Sequence, residues 1–147
     1  MKLSRKYRRF RQLSDQERRM LVEASAGVLT ARIALATLPF RTVHALTRKL
    51  KLAMGRYVVL KASEPVAADL VARAVERAGS NLPGVRCLPR ALAGSVILAR
   101  YGYDTKLRIG VRRPTDDAFE AHAWLERDGE ILVGGPATDF AAFPSFE

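Results

Sequence analysis

The apolar pattern of this chain changes its period at Gly102, and that change constrains the fold more than any other feature. Upstream, Met20, Leu21, Ala24, Val28, Ala31, Leu35 and Leu38 recur at helical spacing, as do Val66, Leu70, Val71, Ala74, Val75 and Ala78. Downstream, Leu107, Ile109 and Val111 alternate with Arg108, Gly110 and Arg112, the period of a strand. Helices first and strands afterwards make an α+β chain, with N-terminal helices ahead of a small antiparallel sheet.

Local signals divide the chain further. Ser14 and Glu17 form a capping box for a helix to about Leu38, which Pro39 stops or kinks. A second helix is expected over 41–52, while Tyr57–Leu60 suits a strand or a helix end. Ser63-Glu64-Pro65 reads as the next helix start and Gly79 as its end. A loop over 81–86 leads to a helix from Cys87 to Arg100. Strands are expected over 107–111, 119–126 and 131–133, with a loop over 113–117 and a hairpin turn at Arg127-Asp128-Gly129.

The 147 residues suffice for one domain with a core. Residues 1–61 carry 15 Lys/Arg against 3 Asp/Glu, and residues 62–147 carry 10 against 12. The single domain 1–147 thus has a basic helical front and a near-neutral remainder. One cysteine forms no internal disulfide, and no signal peptide is visible. The most apolar window, Met20 to Phe40, contains Glu23 and Arg32, so the expectation is a cytoplasmic protein that does not span a membrane. With two histidines, one of them (His44) in a basic helix, and no Gly-rich phosphate loop, neither metal nor cofactor is expected.

Cys87 and His122 are the residues with chemical potential. A thiol becomes a good nucleophile as thiolate, which an imidazole and a helix N-terminus both favour. Cys87 follows a Pro-Gly loop and opens a helix, Pro89 fits its first turn, and the amides there could steady an oxyanion. His122 falls in mid-strand, sharing a face with Trp124, while Ala121, Ala123 and Leu125 take the other. Read from residue types alone, each also has a bland alternative: a small buried cysteine, a structural histidine, a tryptophan of the core and a solvated basic face.

The run CLPRALAGSVILARYGYDTKLRIGVRR, followed by FEAHAWLERDGE, resembles the B-type leader peptidase of lasso-peptide biosynthesis, a family of transglutaminase-like cysteine peptidases. The resemblance covers about residues 80–135, and more loosely the basic front. It implies a papain/transglutaminase-like core, its catalytic helix packed on the sheet, with Cys87 as nucleophile and His122 as base. Because the front reads as helices, the chain resembles the stand-alone peptidase of a split pair. That implies a separate leader-binding recognition protein, a lasso precursor peptide as substrate, and an ATP-dependent cyclase that closes the macrolactam. The family's acidic third member would fall twelve residues after the histidine, where this chain has Gly134. A three-residue turn centred on Asp128 would set position 134 opposite His122. Asp139, Asp128 or a main-chain carbonyl could substitute, Asp139 being preferred because the Gly-Gly-Pro bend could return it to the sheet. Glu126 shares the face of His122 but lies roughly 13 Å along the strand. The rival readings are acyl transfer to an amine, a catalytically inactive scaffold, and a nucleic-acid-binding module built on the basic front.

Overall fold

A computed structural model describes residues 2–60 and 65–144. Five helices come first: α1 Lys2–Arg11, α2 Asp15–Thr37, α3 Phe40–Leu60, α4 Ala68–Asn81 and α5 Cys87–Arg100. Four strands follow, β1 Lys106–Thr115, β2 Ala118–Arg127, β3 Glu130–Val133 and the two-residue β4 Ala141–Ala142, in one antiparallel sheet of order β3-β2-β1-β4. The α+β expectation holds.

The capping box at the start of α2 is complete. The Ser14 hydroxyl accepts from the Glu17 amide at 3.2 Å, and the Ser14 amide donates to Glu17 at 2.8 Å. Donation to the carboxylate from the Ser14 main chain, and after it from the Ser14 side chain, holds the Glu17 carboxyl below its usual range. α2 ends at Thr37, before Pro39. α3 runs to Leu60, eight residues past its expected end, because nothing after Leu52 interrupts a helix and Gly55 is tolerated within it. Of the expected start at Ser63-Glu64-Pro65, Ser63 and Glu64 lie outside the described residues; α4 begins at Ala68 without a side-chain cap.

Gly79 does not end α4. It lies inside the helix, where a Cβ would come within 2.2 Å of the Arg90 side chain, so its role is to let Arg90 across. β1 extends through the expected loop to Thr115, its pairing with β2 irregular between Arg112 and Thr115, where Pro114 offers no amide.

The core lies between the helices and one face of the sheet. Met20, Ala24 and Val28 of α2 meet Val71 and Val75 of α4, Ala91 and Leu98 of α5, Ala123 and Leu125 of β2, and Val133 of β3. α5 seats on the sheet at Gly94, where a Cβ would stand 3.0 Å from the Leu125 side chain. Glu23 of α2 receives Arg100 at 2.7 Å and the Tyr101 hydroxyl at 2.9 Å, tying α2 to the end of α5; burial, then the bond to Glu23, raises the Tyr101 phenol. Among the described residues, α2 is the one helix long and apolar enough to cross a membrane by length and composition. Its inner face is nevertheless part of this core.

Candidate active site

Cys87 is the first residue of α5 and is half-buried. The loop before it turns at Gly84, whose φ of +69° suits glycine. Arg86 occupies the N-cap in extended conformation and supplies no side-chain cap. The first-turn amides of α5 therefore have no capping side chain, and the helix presents the positive end of its dipole beside the sulfur.

His122 sits in the middle of β2, opposite Gly110 of β1. Ala123 and Leu125 point into the helix-facing core. His122 and Trp124 take the other face, as alternation requires, and Phe140 from the C-terminal segment covers them. The His122 and Trp124 rings stack at 5.9 Å, and Phe140 lies 5.0 Å from His122 and 6.5 Å from Trp124. Gly110 makes room for this cluster, since a Cβ there would come within 2.8 Å of the Trp124 ring. Below it, the Trp124 indole donates to Glu126 at 2.8 Å and Arg108 donates to the same carboxylate at 3.0 Å. The Trp124 bond foremost, opposed by burial and helped by Arg108, holds the Glu126 carboxyl below its usual range.

The partner of the imidazole is the main-chain carbonyl of Gly134, 2.6 Å from His122 Nε2. A carbonyl only accepts, so Nε2 is the nitrogen that carries a proton here, and the neutral ring of this tautomer has its lone pair on Nδ1. Asp139 does not take this part. Its carboxylate, largely exposed, faces Arg112 at 3.8 Å, and the chain after Gly135 brings Phe140 rather than Asp139 onto the histidine. Asp128 is a turn residue, at φ +52° with Gly129 at +83°. The turn thus has two residues rather than three, with Arg127 pairing Glu130. A bulge then pairs Leu125 with Val133, which sets Gly134 beside Trp124 and not opposite His122. Only its carbonyl reaches the ring.

Gly134 also connects the histidine to the helix layer. Its amide donates to Glu76 Oε1 of α4 at 2.7 Å, and Glu76 Oε2 accepts from Arg90 of α5 at 3.1 Å. Arg90 stands one turn beyond Cys87. A chain of three polar contacts therefore runs from His122 to the first turn of the helix that Cys87 opens. Cys87 Sγ makes no hydrogen bond to His122 among the described residues: α5 packs on the sheet face that carries Ala123 and Leu125, whereas His122 projects from the opposite face, so the expected cysteine facing a histidine is not formed here. Glu76 escaped the sequence reading, although a signal existed. It is a carboxylate flanked by buried Ala72 and Gly79 on the inward side of α4, where an unpaired charge is costly.

Residues 34–145 match the family model described as the transglutaminase-like superfamily. No curated protein and no solved structure gave a match.

Proposed function

Because the chain belongs to the transglutaminase-like superfamily, we propose that it is a cysteine peptidase that removes the leader from a lasso-peptide precursor. Cys87 is its nucleophile and His122 its base. The observation that supports this reading is a half-buried cysteine at an uncapped helix N-terminus, one turn before Arg90, where a chain of polar contacts from His122 ends. The resemblance of the Cys87 and His122 segments to B-type leader peptidases supplies the substrate.

The chemistry is acyl transfer to water. His122 Nδ1 takes the thiol proton, and the Cys87 thiolate attacks the last leader carbonyl. Amides of the first turn of α5 receive the oxyanion. The C–N bond breaks as the imidazolium protonates the departing core amine, leaving a thioester on Cys87. His122 then activates water, and hydrolysis of the thioester frees the leader carboxylate. The freed amine is the group an ATP-dependent cyclase would close into a macrolactam. Gly134 supplies the acceptor that an acid supplies elsewhere in the family, which favours an active enzyme over an inactive scaffold.

A leader-binding recognition protein completes the reading, and the cytoplasm is the compartment it requires. The outer faces of α2 and α3 support a docking role. Val22, Ala26, Leu29 and Ile33 on α2, and Leu46, Leu50, Ala53 and Tyr57 on α3, form exposed stripes at alternating spacings of four and three. Arg19, Lys49 and Arg56 stand beside them, so the complementary surface is apolar with an acidic rim.

The test is incubation with a lasso precursor and its recognition protein, read by mass spectrometry. Cys87→Ala and His122→Ala are each expected to abolish cleavage while remaining folded. Near-normal cleavage by either variant would remove that residue from the mechanism. A product carrying an amine on the leader carbonyl would mean transfer rather than hydrolysis.

A further inference from the structure

We propose that Glu76 is the positioning residue for His122, acting through the main chain of Gly134. The proposal rests on the reading of His122 as base, because only a base needs one ring nitrogen kept free. Its ground is the pair of bonds at Gly134: the amide donates to Glu76 Oε1 at 2.7 Å, and the carbonyl accepts from His122 Nε2 at 2.6 Å.

A carbonyl in a Gly-Gly segment is by itself a poor fixed point. Glycine has the widest conformational freedom of any residue, and Gly134 and Gly135 both sit at positive φ, +112° and +66°. β3 ends at Val133, so no ladder bond within the sheet holds the peptide that carries this carbonyl. Glu76 holds the peptide just before it, through the Gly134 amide, so only the φ and ψ of Gly134 separate the anchored peptide from the carbonyl. A carboxylate accepting from a main-chain amide makes a charge-assisted bond, stronger than a neutral one.

Glu76 is fixed in turn. Arg90 reaches it at 3.1 Å across the slot left by Gly79, in a part-buried pair. The helix that carries the nucleophile therefore also grips the carboxylate that sets the base. Glu76 touches neither Cys87 nor the imidazole, so its effect is on the orientation of His122 and not on proton transfer itself.

The experiment uses the full chain with ¹⁵N-labelled histidine, at about pH 8 where an imidazole is ordinarily neutral. In the wild type the Nε2-bound proton should be seen as a slowly exchanging signal, with the ring in the Nε2–H tautomer. Glu76→Ala should lose that signal to solvent exchange and move toward the mixed tautomers of free histidine. Glu76→Gln, whose amide oxygen can still accept from Gly134, should retain it. A merely structural carboxylate would lower the melting temperature and leave the imidazole signals in place, and that result overturns the proposal. A second measurement needs no variant: the Gly134 amide of the wild type should exchange at least about 100-fold more slowly than an unstructured glycine. Exchange at the unstructured rate overturns the proposal even if Glu76→Ala cannot be folded. Neither measurement involves peptide cleavage, so a chain that cleaves nothing would sink the peptidase reading and leave this result standing.

Discussion

A main-chain carbonyl and a carboxylate can both accept from an imidazole, but they tolerate substitution differently. A carboxylate can be exchanged for an amide of the same shape, whereas the Gly134 carbonyl depends on the backbone conformation of its own residue. At φ +112°, a Cβ on residue 134 would come within 2.6 Å of the Trp124 Cβ and 2.9 Å of its Cα, atoms that cannot step aside. Gly134→Ala should therefore cost about 2–4 kcal/mol, from strain and overpacking together, measured by urea denaturation. A loss under about 0.5 kcal/mol would mean the segment relaxes freely and the acceptor is not fixed. The Glu126 carboxylate, which receives the Trp124 indole, makes a second prediction. Its folded value is depressed, so the unfolded chain takes up the proton first as pH falls. The stability it contributes is present above the unfolded value and lost as pH drops through the folded one. Between about pH 6 and about pH 3, the melting temperature of Glu126→Gln should start below wild type and converge with it. Parallel curves would show that the bonds to Trp124 and Arg108 contribute nothing.

Among the elements, the periodic ones were legible and the exceptions came from contacts distant in sequence. α2 and α5 lie where capping and apolar spacing put them, because a capping box and a Pro-Gly loop are complete local instructions. The alternation in β1 and β2 likewise assigns His122 and Trp124 to one face, as the register confirms. Three features could not be read locally. β4 is two residues long and exists only by pairing with Gly110 and Val111. The bulge at Leu125/Glu126 adds one residue to the hairpin and moves Gly134 along, which no turn signal encodes. Gly79 looked like a helix stop, since that is the commonest use of glycine near a helix end, yet its reason is Arg90, eleven residues onward. That reason has a consequence for α4 against α5. In Gly79→Ala the new methyl would occupy the path of the Arg90 stem, with 2.2 Å to Nε, 2.6 Å to Cδ and 2.7 Å to Cγ. Arg90 must leave, and Glu76 loses its partner on a part-buried face. The gain in helix propensity from Ala is about 1 kcal/mol, against an overpacking cost of about 1–3 kcal/mol and a stranded carboxylate. The net expectation is destabilisation in thermal melts together with weakened cleavage. A stabilised, fully active variant would show that Arg90 has another seat.

At the scale of the whole molecule, the segment matching the family and the folded core do not coincide. The match begins at residue 34, whereas α2 starts at Asp15 and places Met20, Ala24 and Val28 in the core, each 2% exposed or less. The basic front is therefore two things at once. Its inner face closes the hydrophobic core over α4 and α5, and its outer face carries the apolar stripes and the cations. These functions separate by position along a single helix, because residues two apart on an α-helix face different ways. Met20→Ala removes a fully buried side chain and should destabilise by about 2–4 kcal/mol. Val22→Ser, at a position 60% exposed, should change stability by no more than about 0.5 kcal/mol. If the stripe docks the recognition protein, Val22→Ser combined with Leu29→Ser and Ile33→Ser should leave the melting temperature nearly unchanged while cleavage of the partner-bound precursor falls. The cationic rim adds a salt dependence to the same docking, so raising salt to about 300 mM should slow wild-type cleavage by weakening encounter. A triple variant that cleaves at the wild-type rate, and at a rate indifferent to salt, would leave the outer face as a solvated surface and confine the importance of α2 to its inner one.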